Sequence, residues 1–163
     1  MTQGILFMDV DGTMTDGFIN ICESGELYKS FNVKDGYGIS NLLPQIDYVP
    51  VVLTGRESSI TIERCKELKI EECHQGIKNK KKKMTAILDK FDLRLENAAY
   101  IGDDLNDLEC LELIKFSGGL TGCPLDAVEE VKKVCSFVSK KEGGKGAIRE
   151  FIEYIVASKY LND

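Results

Sequence analysis

Two acid-rich segments have the residue types and spacing for chemistry: Asp9-Val10-Asp11-Gly12-Thr13, and Gly102-Asp103-Asp104-Leu105-Asn106-Asp107 further along. Between them lie Thr54-Gly55-Arg56 and Lys80, the latter inside the basic run Lys78–Lys83. Asp9 and Asp11 are two apart, so continued extension would aim them at opposite faces. Gly12 lets the chain turn there, and both acids then line one pocket. A plain Asp-Gly turn accounts for this pair taken alone, and a turn accounts for Asp103-Asp104 about as well. Two such pairs on neighbouring strand ends are harder to explain that way, because crowded carboxylates raise one another's pKa unless a cation sits among them. Oxygen ligands suit a hard ion, and Mg²⁺ fits two or three carboxylates plus waters and a phosphate. The spacing fits no EF-hand, and no P-loop is present.

Thr54 offers a hydroxyl and nearby backbone N–H groups for phosphate oxygens, beside the bland reading of a Thr-Gly turn. Most of the lysines read as a solvated basic face. Cations in the first turn of a helix oppose its macrodipole, however, at roughly a few tenths of a kcal/mol each. An anionic ligand or the acidic cluster would remove that conflict for whichever lysine faces inward. His74, the single histidine, reads as a strand-end structural or pocket-rim residue.

The elements that must position these groups alternate along the chain. The apolar run Gly4–Met8 leads into Asp9. Phe18–Cys22 and Leu27–Phe31 flank Glu23-Ser24-Gly25-Glu26, a hairpin with Gly25 in its turn. Asp35 is placed to cap a short helix through about Leu43, closed by Pro44. Tyr48–Leu53 reads as a strand, and Ile60, Arg64, Cys65 and Leu68 fall at helical spacing. A short strand follows at Glu72–His74, then a helix marked by Met84, Ile87, Leu88 and Phe91. Ala98–Ile101 is a further strand, with Leu105, Leu108 and Leu111 on a helix beyond it. The remainder predicts a weak strand near Phe116-Ser117, a helix at about Asp126–Lys132, a strand at Cys135–Val138 and a last helix at about Lys145–Ser158. Strands alternating with helices predict βαβ units and a doubly wound α/β domain over residues 1–163, with the hairpin at about 17–32. In such sheets ligands bind beyond the carboxyl ends of the strands, which is where all four chemical segments fall.

Composition sets the outer limits. The chain has 163 residues, enough to bury roughly 70% of its unfolded surface in one core. It is 43% hydrophobic and 29% charged, so it is neither disordered nor fibrous. A net charge of −6 argues against nucleic acid or an anionic membrane as a partner. The apolar runs are far too short for a membrane span, and the first residues lack the pattern of a secretion signal. Six cysteines with no Cys-x-x-Cys pair read as reduced thiols in a cytoplasmic protein.

The order Asp9/Asp11, Thr54, Lys80, Asp103/Asp107 at successive strand ends resembles the haloacid dehalogenase superfamily of phosphotransferases over essentially the whole chain. The resemblance implies that Asp9 is a nucleophile forming an aspartyl-phosphate, and that Asp11 protonates the leaving oxygen and then activates water. It implies Mg²⁺ held by Asp9, the main-chain carbonyl of Asp11 and Asp103, with Asp104 supporting that shell. Thr54 and Lys80 would bind the transferring phosphoryl, and Asp107 would orient Lys80. Only a hairpin and one helix separate Asp9 from Thr54, which is similar to the capless class typified by 3-deoxy-D-manno-octulosonate 8-phosphate phosphatase. Thr15-Asp16-Gly17, Phe31–Ile39, Thr54–Arg56, Gln75-Gly76 and the glycine-rich Gly143–Glu150 carry that likeness. It implies a sugar-acid phosphate substrate, a homotetramer with hairpins at its centre, and a glycine-rich segment (with its helix, about 143–158) folding over the active site. A role in making an acidic sugar for a surface glycan such as lipopolysaccharide follows from the same class.

Gly55, Arg56 and Lys145 are then the candidates for binding the sugar acid, Arg56 with the geometry to meet a carboxylate bidentately. The class commonly has an aliphatic residue where this chain has Thr13, and often Arg where it has Lys145. Close relatives act on 9-phosphates of nine-carbon sugar acids and often have an acid after the Thr-Gly pair, so Arg56 favours the eight-carbon substrate. Two rivals fit less well. A receiver-type domain lacks the second acid pair after its Lys. A non-catalytic oligomerisation module, like the C-terminal domain of sialic-acid cytidylyltransferases, would have lost some of the acids or the Lys.

Overall fold

In the computed structural model, which describes residues 2–160, a six-stranded parallel sheet carries the site. Met1 and residues 161–163 of the expected domain lie outside the described residues. The chain runs β1 (Gly4–Met8), β2 (Asn20–Cys22), β3 (Gly25–Tyr28), α1 (Val33–Tyr37), β4 (Tyr48–Leu53), α2 (Ser59–Glu67) and β5 (Glu72–His74). It continues through α3 (Lys80–Lys90), β6 (Ala98–Ile101), α4 (Leu105–Phe116), β7 (Leu120–Cys123), α5 (Glu129–Val134), β8 (Phe137–Val138) and α6 (Ala147–Tyr160). The strand order is β5-β4-β1-β6-β7-β8, while β2 and β3 pair antiparallel as a separate hairpin. Strand β1 is therefore central, with β4 and β6 on either side. The connections change direction around it, which opens a crevice at the carboxyl ends.

Alternation in β1 builds both faces. Leu6 and Met8 enter a core made with residues 39–46, α2 and α6, whereas Ile5 and Phe7 enter one made with α3, α4 and α5. Every residue of β1 is buried, as a strand covered on both sides requires. The expected doubly wound α/β sheet with one hairpin is what the chain forms. Among the described residues no helix is long and apolar enough to cross a membrane.

Several local expectations are corrected. Asn32, not Asp35, caps α1: its Oδ1 accepts from Lys34 N at 2.8 Å. Asp35 instead turns inward and accepts from Arg149 N at 2.8 Å, tying α1 to α6. Pro44 does not close the helical path, which runs on through a wide turn at Gly38–Leu42 into a 3₁₀ turn at Leu43–Ile46. Pro44 stands in the first turn of that last piece, where its missing N–H costs nothing. No strand forms at Phe116-Ser117. Phe116 ends α4 with 88% of its surface exposed, and the strand starts at Leu120 after a turn through Gly118. On α4 the buried positions are Asp107, Cys110, Leu111 and Ile114, and Leu105 is 57% exposed. Of the three leucines expected to mark this helix, Leu111 is buried and Leu108 packs against the core, so only Leu105 turns outward, while Asp107 takes a buried position on the same helix.

Phe151 of α6 lies fully buried against Gly122 of β7, where an added Cβ would come within 2.6 Å of the ring. Its ring also meets Phe137 at 5.8 Å and Tyr154 at 6.2 Å between centroids. Phe151→Ala is expected to cost about 3–5 kcal/mol, as cavity-forming changes of this size do. Urea unfolding should show it as a lower midpoint with an unchanged slope.

Candidate active site

The ends of β1, β4 and β6 converge on a cleft of about 320 Å³ lined by Asp9, Asp11, Gly12, Thr54, Arg56 and Asp103, among others. The first loop is held by backbone geometry. Asp9 N still donates to Ile101 O at 3.1 Å, and the chain then leaves the sheet. Gly12 has φ +92° and its α-carbon faces Asp103, so an added Cβ would lie 2.0 Å from Asp103 Oδ2. Only glycine satisfies both the left-handed backbone and that approach. The Thr15 hydroxyl accepts from Gly12 N at 3.3 Å and Gly17 N at 3.2 Å, closing the loop.

Lys80, the first residue of α3, is buried and bridges two carboxylates: Nζ lies 2.8 Å from Asp9 Oδ1 and 2.7 Å from Asp107 Oδ1. Asn79 caps the same turn by accepting from Lys82 N at 2.8 Å, which fixes where Lys80 emerges. Asp107 is wholly enclosed. Oδ1 also accepts the Tyr100 hydroxyl at 2.7 Å, and Oδ2 accepts Asp103 N at 3.1 Å and Asp104 N at 3.5 Å. Asp104 caps α4, its Oδ1 accepting from Leu105 N at 2.7 Å.

Asp9, Asp103 and Asp107 each bring a carboxylate oxygen within 4.8 Å of the others. Asp107 already serves four donors, so Asp9 and Asp103 are the pair with capacity left. Burial, followed by the charge of Asp107, holds the Asp9 carboxyl well above the usual carboxylate range, against the pull of Lys80. Burial, with repulsion from Asp107 and Asp104, pushes Asp103 up to about 6, opposed by a hydrogen bond from Thr13. Burial would lower the Lys80 ammonium, but Asp9 and Asp107 outweigh it and hold it above the usual lysine range. Concentrated negative charge on oxygen donors with capacity to spare is the environment of a hard divalent cation.

The structure brings Asp9, Asp11, Thr54, Gly55, Arg56, Asp103 and Asp104 to one cleft, with Lys80 and Asp107 beneath Asp9. It does not bring Lys145 there. That side chain is 61% exposed and pairs with Glu142. The glycine-rich segment does reach the site of its own chain: Gly144 N donates to Thr13 O at 3.1 Å, and a Cβ on Gly143 would strike Gly12 O at 2.0 Å. Sequence reading named Thr13 but not its contact, in which its hydroxyl donates to Asp103 Oδ1 at 2.8 Å, and it missed Tyr100, which supports Asp107 from within β6. It also missed Glu26 and Lys29, which the hairpin delivers to Asp11 and Arg56. His74 meets Glu72 at 2.9 Å, away from the cleft lining.

Replacing Lys80 by Met leaves Asp9 and Asp107 buried without their cation, which is expected to cost about 3–5 kcal/mol of stability. Asp9 is an acid already raised in the folded state, and losing Lys80 raises it further. The fold then favours its protonated form, so the deficit should deepen as pH rises above the ordinary carboxylate range. Urea unfolding at several pH values, without divalent cations, measures both.

A family model for haloacid dehalogenase-like hydrolases matches residues 44–152. The chain is 36% identical over 155 residues to the 3-deoxy-D-manno-octulosonate 8-phosphate phosphatase of Escherichia coli K12, covering 95% of this chain and 80% of that one. The enzyme of that name from Moraxella catarrhalis, solved with magnesium, phosphate and KDO, superposes with a TM-score of 0.87 at 33% identity, covering 96% and 86% of the two chains. The Yersinia pestis enzyme superposes equally well, at 0.87 and 34% identity over 96% and 81%. With the acids, threonine and lysine of its strand ends gathered in one cleft, this chain belongs to the haloacid dehalogenase-like hydrolases.

Proposed function

We propose that the chain is a Mg²⁺-dependent phosphatase for 3-deoxy-D-manno-octulosonate 8-phosphate. The observation that carries this is the pairing of a buried carboxylate, Asp9, with a buried lysine at the floor of an acidic cleft, with a second carboxylate, Asp11, two residues on. The relatives above bear that activity in their names, at identities and coverage that span nearly the whole chain.

Asp9 attacks phosphorus and the bond to the sugar oxygen breaks, leaving an aspartyl-phosphate. Asp11 gives its proton to the departing oxygen. It then takes one from the water that hydrolyses the intermediate, releasing phosphate and restoring Asp9. Thr54 and Lys80 offset charge on the equatorial phosphoryl oxygens, and Asp107 keeps Lys80 aimed at them. Asp9, Asp103 and the carbonyl of Asp11 would hold Mg²⁺, with Asp104 fixing the loop by capping α4, and the bound ion would supply the remaining charge neutralisation. Arg56 and Gly55, at the mouth, meet the sugar acid.

The chain assembles as a homotetramer in this reading. Phe18, Ile21, Leu27 and Tyr28 leave an apolar surface on the hairpin, with Phe18 72% exposed, which is costly in water and suits burial against other copies. Lys145, facing outward on its own chain, would serve a site only where such packing or movement of its segment brings it there.

Phosphate release should be fastest with the eight-carbon sugar-acid phosphate, slower with nine-carbon 9-phosphates, and lost with EDTA or in Asp9→Asn. Asp103→Asn should keep the fold but require far more Mg²⁺. Folded, assembled protein that turns over none of these esters would overturn the assignment.

A further inference from the structure

The hairpin is largely exposed, yet one of its lysines is not: the side chain of Lys29 is only 2% exposed. Its ammonium contacts Asp11 through Oδ1 and lies 3.0 Å from Glu26 Oε1. Glu26 accepts the hydroxyl hydrogen of Ser58, the residue whose side chain caps α2. Arg56 stands 3.6 Å from Asp11 Oδ2 and 3.8 Å from Glu26 Oε1. Asp11 therefore has a cation at each oxygen, and both cations share Glu26. Lys80 is committed elsewhere, to Asp9 and Asp107, so the two lysines have separate partners.

A lysine is buried only where its charge is matched. Here the match is a carboxylate that sits on a loop and must be aimed to within a fraction of an ångström to work. Arg56 is half-exposed and can swing, whereas Lys29 is enclosed and anchored through Glu26 to the start of α2. Glu26 also offsets one positive charge, so the group adds only one net positive charge beside Asp11.

We propose that Lys29, held by Glu26, is a positioning residue that fixes the Asp11 carboxyl for both proton transfers, a role that rests on the phosphatase reading. In this role Lys29 acts through Asp11 and not on phosphorus or the leaving oxygen. In the first step the Asp9–phosphorus bond forms as the sugar oxygen departs with the Asp11 proton. In the second, Asp11 removes a proton from the attacking water as the Asp9–phosphorus bond breaks. An aryl ester needs no proton on its leaving group, so a misplaced Asp11 slows only its second step.

The test uses full-length, Mg²⁺-loaded Lys29→Met, with circular dichroism confirming the fold. On the sugar-acid phosphate, kcat should fall about 10²-fold with KM little changed, within the range general acid–base catalysis contributes. On p-nitrophenyl phosphate, stopped flow should show one nitrophenolate released per site in a fast burst, followed by slow turnover. Lys29→Arg, which keeps charge and donors, should recover a large part of kcat. Glu26→Gln should give the same burst in milder form, and it carries the test if Lys29→Met does not fold. Unchanged kcat, equal losses on both esters without a burst, or an Arg variant no better than Met would overturn the role. A wild-type protein inactive on every ester would instead sink the phosphatase reading and this role with it.

Discussion

One ammonium meets two buried carboxylates at the centre of this molecule, and the arrangement of the site follows from making that contact tolerable. Lys80 lies between Asp9 and Asp107, with Asp103 close by, so the enclosed groups carry more negative than positive charge. Burying ions costs several kcal/mol each unless hydrogen bonds and opposite charges satisfy them. The fold meets that cost mainly at Asp107, which takes Lys80, the Tyr100 hydroxyl and two backbone amides. The excess negative charge that remains sits on Asp9 and Asp103, at the floor of the cleft, where a divalent cation and a phosphoryl group would meet it.

That constraint explains features which look incidental in isolation. Asp107 takes a buried position on α4, while Leu105 on the same helix is left in solvent. Gly12 is needed because Asp103 fills the space a side chain would take. Thr13 supplies the hydroxyl that steadies Asp103, and the glycine-rich segment before α6 packs on the same loop from outside. The hairpin adds a second, more peripheral charge group in which Lys29 and Arg56 flank Asp11 and share Glu26. Its apolar side chains Phe18, Ile21, Leu27 and Tyr28 face solvent while Glu26 and Lys29 turn toward the cleft, so one short element carries both surfaces.

Much of this was legible in the residues. Asp9, Thr54 and Asp103 could be found because each follows a continuous apolar run, and such runs bounded by glycine mark strand ends in a parallel sheet. That one lysine of the basic run turns inward was legible from the conflict with the helix dipole, while the family resemblance singled out Lys80. Lys29 was not legible, because a charged residue in a short hairpin has the same pattern whether it meets solvent or a distant carboxylate. Asp35 looked like a cap because Asp often is one, but Asn32 stood in the capping position and Asp35 found Arg149 instead. Phe116 looked like strand because it is apolar, yet its helix ran on until Gly118 could reverse the chain.

The sequence by itself determined the α/β alternation, the ends of the strands that carry the site, and which acids and hydroxyl stand at them, because hydrophobic periodicity and turn residues act over a few neighbours. Tertiary structure alone decided which oxygen each ammonium meets, that Asp107 is saturated while Asp9 and Asp103 keep capacity, and that Lys145 faces away while Lys29 faces in. Those outcomes depend on contacts between residues far apart in the chain, such as Thr13 with Asp103 and Lys80 with Asp9, and on burial that strengthens each charge it encloses. No local pattern records them, because the energy that selects them exists only once the strands have paired and water has been excluded.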